Sequence, residues 1–294
     1  MNVCIIDIGS NTIKASVYKV LGKLRKEEIA YQGSKEKLIT YIEENVMNDF
    51  GISRLCNSVE MLLKFSEEHK CEKTFAFATA SLRNVKNAKE ITDIVEKRFG
   101  LTIDILSEED EALCSLKGLL GDFSISGVDR GIMIDMGGGS TELVVFENGK
   151  PPRISSMGFG CLSLINSEFG EPYYEDKVRK IVRQELEKCM FAKEIRYPVF
   201  LIGGTARAVI KILNALNIQN KTILRADGKD FEHIIHEYSK EYFQDLLQRA
   251  VPSRKTTVLS GAIAYSEIIK FIKPSSILVS DSGVRDGYLE KILP

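Results

Sequence analysis

The chain has 294 residues, enough for about two domains of ~150 residues that each bury a core. Its 44% hydrophobic and 28% charged residues match soluble globular averages, which excludes disordered and fibrous classes. Lys and Arg number 40 against 41 Asp and Glu, a net charge of -1. No global basic field is therefore available to hold nucleic acid or an anionic membrane, and a polyanionic ligand has to be gripped locally.

The six cysteines, Cys4, Cys56, Cys71, Cys114, Cys161 and Cys189, form no C-x-x-C pair, and there are only three histidines. A zinc site and a disulfide framework are both disfavoured, and buried reduced thiols are expected. The start, MNVCIIDIGSN, lacks a basic n-region followed by a long apolar h-region, so the cytoplasm is the expected location.

In chain order, VCIIDI, TIKASVYKV and a run around KEEIAYQ read as a β-meander with turns at Gly9 and Gly22. Helical periodicity follows at 53–69 and 87–99, separated by the apolar strand TFAFATA. A further strand, LTIDIL, precedes SEEDEALCSLKGLL, where Ser107 and Asp110 make a start resembling a capping box. A second meander, RGIMIDMGGGSTELVVFENGKPPRISSMG, opens the other half. Sliding Asp7 onto Asp135, an offset of 128, also superposes Ile6 on Ile134, Gly9 on Gly137, Thr12 on Ser140 and Val17 on Val145. This predicts an internal duplication, with one α/β domain over 1–124 and another over 125–294. The second continues with helices near 173–190, 205–216, 240–249 and 256–272 and strands at PVFLI and SILVS.

Chemistry concentrates in the two turns, DIGSNT and DMGGGST. Tight Gly/Ser turns expose N–H groups that wrap phosphate oxygens, and two of them suggest a clamp on either side of a cleft. Gly137, Gly138 and Gly139 allow close approach to an anion, while Ser10, Asn11, Thr12, Ser140 and Thr141 add side-chain donors. Asp7 and Asp135 would repel phosphate unless a hard cation intervenes, which points to Mg²⁺ held partly through water, with Glu142 able to join. In SEEDEA the acids suit a helix N-terminus, yet the helix follows the last strand of the first half, where a carboxylate such as Glu111 could deprotonate water. Arg83, Lys86 and Lys89 follow a strand end and suit phosphate charge. Gly203, Gly204 and Thr205 offer another anion-receptive helix start. Lys14, Arg83, Arg207, Arg254 and Arg285 are nominated as the local source of attraction.

Taken in order, IDIGSNTIK, ATASLRNVKN, SEEDEA, IDMGGGSTELV, SMGFGCLSL, IGGTARA and SDSGVRDGYL resemble the exopolyphosphatase and guanosine pentaphosphate phosphohydrolase family, Ppx/GppA. The resemblance implies an α/β protein of two ribonuclease H-like domains in the actin, sugar kinase and Hsp70 ATPase superfamily, with an interdomain cleft. It implies Glu111 as the base for the attacking water, Asp135 and Glu142 as acids of the second phosphate loop, and Asp7, Ser10, Asn11 and Arg83 around the phosphate site. Release of a terminal phosphoryl group from inorganic polyphosphate or guanosine pentaphosphate, with a magnesium ion, is the implied activity. The sequence departs from the family pattern at Asp110, where a Glu is usual, at Ser163, in place of an arginine, and at Leu201, where a glycine is common. Two alternatives stay open: a non-catalytic sensor of these polyanions and a nucleotide-dependent kinase. No nucleic-acid or membrane partner is expected, and a homodimer is kept in view.

Overall fold

In the first meander, every residue from Val3 to Ile8 is buried, so the strand reads as a continuous apolar run because both of its faces are covered. The computed structural model describes residues 1–22, 25–122, 127–165, 171, 173–216 and 225–293. The strands are β1 (Asn2–Ile8), β2 (Ile13–Gly22) and β3 (Arg25–Ser34). A two-residue ladder, β4 (Ile42–Glu43) with β5 (Val46–Met47), leads into helix α1 (Asp49–Glu68). There follow β6 (Lys73–Ala78), the short α2 (Ala80–Arg83), α3 (Ala88–Phe99), β7 (Ile103–Ile105) and α4 (Glu108–Leu120). The sheet order is β3-β2-β1-β6-β7, with the meander antiparallel and β1, β6 and β7 parallel.

Cys4, Ile6 and Ile8 face Leu55, Val59 and Leu62 of α1, while Val3 and Ile5 join Tyr18, Phe77, Tyr288 and Leu289 on the other face. The last two belong to the final helix, so residues far apart in the chain close one core.

The second half repeats the plan with β8 (Arg130–Met136), β9 (Thr141–Glu147) and β10 (Arg153–Met157). Then come α5 (Tyr174–Leu186), β11 (Val199–Ile202), α6 (Gly204–Ala215), β12 (Arg225–Ala226), α7 (Gly228–Glu237), α8 (Glu241–Ala250), α9 (Thr257–Ile272), β13 (Ile277–Val279) and α10 (Val284–Ile292). Its sheet runs β10-β9-β8-β11-β13-β12, again a meander followed by parallel strands, with β12 an added antiparallel edge. Thirteen of the sixteen residues of α9 are buried, which makes it the central helix of this unit. Its Glu267 meets the buried Arg179 of α5 at 2.6 Å, and Arg179 also pairs with Glu175 at 2.6 Å and Glu232 at 3.0 Å.

The chain divides into one compact unit of Met1–Cys114 with Val284–Pro294, and another of Ser115–Gly283. The sequence-based division after 124 lies outside the described residues. A contiguous second domain is not what these units show, because α10 covers Tyr18 and Phe77 of the first sheet. Helix α1 begins at Asp49, ahead of the expected 53, because the Asn48 side chain accepts the Gly51 N–H at 2.9 Å. Helix α7 escaped the sequence reading, although Asp227 and Asp230 cap its start reciprocally. Five cysteines are buried and Cys71 is half-buried. Among the described residues no helix is long and apolar enough to cross a membrane.

Candidate active site

The two Asp-x-Gly turns are built alike. The Gly9 N–H donates to the Thr12 carbonyl at 3.2 Å, and at the duplicated position the Gly137 N–H donates to the Ser140 carbonyl at 3.0 Å. In each unit the segment after the third strand ties back the turn's carbonyls. The N–H groups of Lys37 and Ile39 reach the carbonyls of Asn11 and Ser10 at 2.9 and 3.3 Å. Those of Cys161 and Leu162 reach Gly137 and Gly138 at 3.0 Å each. Carbonyls engaged in this way cannot face an anion.

In the second turn the bracing is close. A Cβ built on Gly160 would lie 2.5 Å from the Gly138 carbonyl carbon and 2.6 Å from the Gly139 nitrogen. The run SMGFGCLSL therefore acts as the support of the glycine turn, which the sequence reading quoted but assigned no role. The exposed Ser163 stays local, its hydroxyl accepting the Gly160 N–H at 2.8 Å. Thr141, expected to donate to phosphate, instead donates its hydroxyl to the Phe159 carbonyl at 2.7 Å and is fully buried.

Both turns stand at the carboxyl ends of parallel strands, where open α/β sheets bind ligands. In the first unit these ends also carry Arg83, after β6, and Glu111, after β7. Of the four acids opening α4, Glu111 alone is buried. Arg83 Nη1 donates to Glu111 Oε2 at 2.7 Å and to the Leu106 carbonyl at 3.1 Å, while its Nε and Nη2 are buried with no acceptor among the described residues. A guanidinium with two unused donor nitrogens is suited to a bidentate oxyanion. Asp110 turns the other way: its N–H reaches the Ser107 hydroxyl at 3.0 Å, and its carboxylate accepts from Ser107 and from Lys291. The Ser107 hydrogen bond, with help from Lys291, holds its carboxyl below the ordinary range. The departure at Asp110 thus falls on a capping residue. Leu201 is a fully buried core residue of β11.

Ser10 and Asn11 are buried and Thr12 is half-buried, with the Asn11 Oδ1 sealed and without a hydrogen-bond partner among the described residues. Ser140 is buried, and Gly137, Gly138 and Gly139 are partly open. The duplication inverts a charge at this rung. Asp7 of β1 stands opposite Lys14 of β2, which donates to it at 3.1 Å. At the equivalent rung of the second unit Asp135 stands opposite Glu142, which is 1% exposed. Like charges directly opposite in a sheet are destabilising, so this pair suits a divalent cation.

Among the described residues no three metal-ligating side chains gather into a cage. Two carboxylates nevertheless fit magnesium, which completes its shell with water and phosphate oxygens. Asp7, expected at the metal, pairs with Lys14 at 3.1 Å. Aligning Lys14 with Glu142 at the offset of 128 would have exposed this asymmetry. Sequence reasoning also missed Ser115, fully buried on α4, whose hydroxyl donates to Asp135 Oδ2 at 2.7 Å.

Of the remaining nominated cations, Arg207 and Arg254 lie in the second unit, near enough to Tyr265 to act on it together with Asp135, and Arg285 lies in the first. Arg207 reaches the Asp281 carbonyl at 3.3 Å, Arg254 lies over Gly204 with Nη1 3.9 Å from Cys161 Sγ, and Arg285 stacks on Tyr31 with Cζ 5.3 Å from the ring centroid.

The profile of the Ppx/GppA phosphatase family matches residues 25–294. An exopolyphosphatase structure from Cytophaga hutchinsonii superposes with a TM-score of 0.86 at 16% identity, covering 99% of this chain and 97% of that one. The Ppx/GppA enzyme of Aquifex aeolicus superposes with a TM-score of 0.77 at 21% identity, over 99% of both chains. These two structures share the fold. Among curated proteins, a bifunctional 3-dehydroquinate synthase/phosphatase of Fusobacterium nucleatum is 20% identical over 94% of this chain and 44% of its own length. A guanosine-5'-triphosphate,3'-diphosphate pyrophosphatase of Aeromonas hydrophila is 29% identical over 56% of this chain and 33% of its own. The chain thus spans less than half the length of these curated relatives.

Proposed function

Because the chain belongs to the Ppx/GppA phosphatase family, we propose that it is a phosphohydrolase that releases the terminal phosphate of inorganic polyphosphate or of guanosine pentaphosphate, with magnesium. The observation that carries this reading is the buried Glu111, held 2.7 Å from an Arg83 whose Nε and Nη2 have no acceptor among the described residues.

In the reaction the braced turns present N–H groups to phosphate oxygens, and Arg83 spreads its unused N–H groups over the terminal phosphoryl. Glu111, held by its guanidinium partner at 2.7 Å, accepts a proton from water as the water oxygen bonds to phosphorus. The bridging P–O bond then breaks, its electron pair passing to the departing phosphate oxygen. Asp135 and Glu142 would hold the magnesium ion, which when bound neutralises charge on the phosphate oxygens. Hydrogen bonding from Ser115 orients the Asp135 carboxylate for that task.

Phosphate release measured with polyphosphate, guanosine pentaphosphate and ATP tests the reading. Glu111→Gln is expected to lower it by ~10²–10⁴-fold, the range of a lost acid–base group. Hydrolysis by that variant at the wild-type rate would remove the base from the mechanism. The sensor reading draws support from the same ion pair, since a carboxylate already engaged by Arg83 can also serve binding alone. Tight binding without phosphate release over hours would decide for it.

A further inference from the structure

Tyr31 of β3 lies opposite Ser16 of β2 and is 55% exposed. Arg285 covers its ring, with Cζ 5.3 Å from the centroid, a cation–π contact that fixes the ring in place. The phenol extends over Gly33: a Cβ built there would lie 3.0 Å from the Tyr31 hydroxyl oxygen and 3.5 Å from Lys14 Cγ. Glycine therefore clears the ground on which the ring rests, beside the stem of Lys14. The far end of that stem, Nζ, is 3.1 Å from Asp7, two residues before Gly9 of the first phosphate turn.

Two rungs along the same face, roughly 7 Å away by strand spacing, stands the exposed Glu28, whose Oε1 accepts the Ser16 hydroxyl at 2.9 Å. An immobilised, solvent-facing aromatic ring three rungs along the ladder from the first phosphate turn has no task in the hydrolytic scheme.

We propose that Tyr31 is a stacking platform for the nucleobase of a nucleoside polyphosphate whose phosphates occupy the first turn, a subsite that rests on the phosphohydrolase reading above. Every base has a π face, so stacking alone accepts any nucleotide. Glu28 supplies the selection. An ionised carboxylate only accepts hydrogen bonds, and the Watson–Crick edge of guanine offers two adjacent donors where adenine offers one donor beside an acceptor. The platform thus gives guanosine phosphates an attachment that a bare polyphosphate chain lacks.

The chain contains no tryptophan, so Tyr31→Trp places a single indole on the platform. Guanosine pentaphosphate is expected to quench its fluorescence saturably, while inorganic polyphosphate leaves it unchanged. Tyr31→Ala should raise KM for guanosine pentaphosphate about tenfold, within the range for losing a base–aromatic stack. The KM for polyphosphate should be unchanged and Tyr31→Phe should retain the wild-type value. Glu28→Gln should narrow the preference for guanosine over adenosine polyphosphates.

An indole that ignores guanosine pentaphosphate while the protein hydrolyses it overturns the platform. Equal losses toward both substrates in Tyr31→Ala overturn it as well. Saturable quenching without phosphate release from any substrate keeps the platform and overturns the hydrolase reading.

Discussion

Neutralising Glu142 should separate stability from activity. With Asp135 directly across the ladder, the two side chains leave the sheet about 5 Å apart. Two unit charges at ~5 Å repel by about 3 kcal/mol at an effective dielectric of ~20. Glu142 is 1% exposed but Asp135 is half-buried, and the Ser115 hydroxyl draws off part of its charge, so about 1–2 kcal/mol is the fair expectation. Glu142→Gln keeps the side-chain volume and an acceptor for the Ser156 hydroxyl, which approaches at 3.4 Å. In chelator-treated protein the variant should therefore melt higher than wild type, by roughly 2–8 °C for a unit of this size. Adding magnesium should raise the melting temperature of wild type and do little for the variant, because the cation relieves a repulsion that the variant no longer has. Phosphate release should fall by orders of magnitude. Calorimetric melts with chelator and with magnesium, beside a phosphate assay, measure all three effects. A variant that melts lower than wild type without metal, or one that hydrolyses normally, would refute the argument that this pair holds a cation.

Gly160→Ala should lower phosphate release at least about tenfold with circular dichroism unchanged, because its Cβ would displace the Gly138–Gly139 backbone and re-aim the donors of the turn. Arg179→Met should destabilise the second unit by about 2–4 kcal/mol in urea titrations, since it leaves the buried Glu267 with only Arg183 and Lys270. The same network sets an acid limit. Burial pushes the Glu232 carboxyl up, but hydrogen bonds from Lys270 and Ser266 and the charge of Arg179 outweigh it and hold it at about 2. A depressed carboxyl contributes stability that is complete above its unfolded value near ~4.3 and is lost as the pH falls toward the folded value. Denaturation midpoints at pH 7, 4 and 3 should therefore fall more steeply in wild type than in Glu232→Gln.

The strands and glycine turns were legible because their signals are local: alternation, a buried apolar run, Asp-x-Gly between two strands. The duplicated turns could be aligned by eye, and Glu111 stood out as the acid adjoining the apolar side of its helix. The bracing of Gly137 and Gly138 by Cys161 and Leu162 was not legible, because it depends on backbone groups more than twenty residues apart in the chain. Neither was the engagement of Thr141 with Phe159, since a threonine after a glycine turn looks the same whether its hydroxyl faces ligand or carbonyl. The reading that set Asp7 and Asp135 together at a metal leaned on the repeat and did not compare their cross-strand partners, Lys14 in one copy and Glu142 in the other. Arg285 and Tyr31 are separated by most of the sequence, and only the return of α10 to the first sheet brings them into contact.

That return orders the protein's birth. Strands β1, β2, β3, β6 and β7 leave the ribosome first, yet the helix that covers Tyr18 and Phe77 is synthesised only after the whole of Ser115–Gly283. The second unit is complete in sequence while the first still lacks the Tyr288 and Leu289 side of its core, with only Leu106 and Cys114 among the later residues of that cluster in place. Maturation of the first phosphate turn's unit is thereby deferred until translation reaches Val284–Ile292, and a nascent chain stalled just short of that helix would carry an open hydrophobic sheet as its mark for disposal.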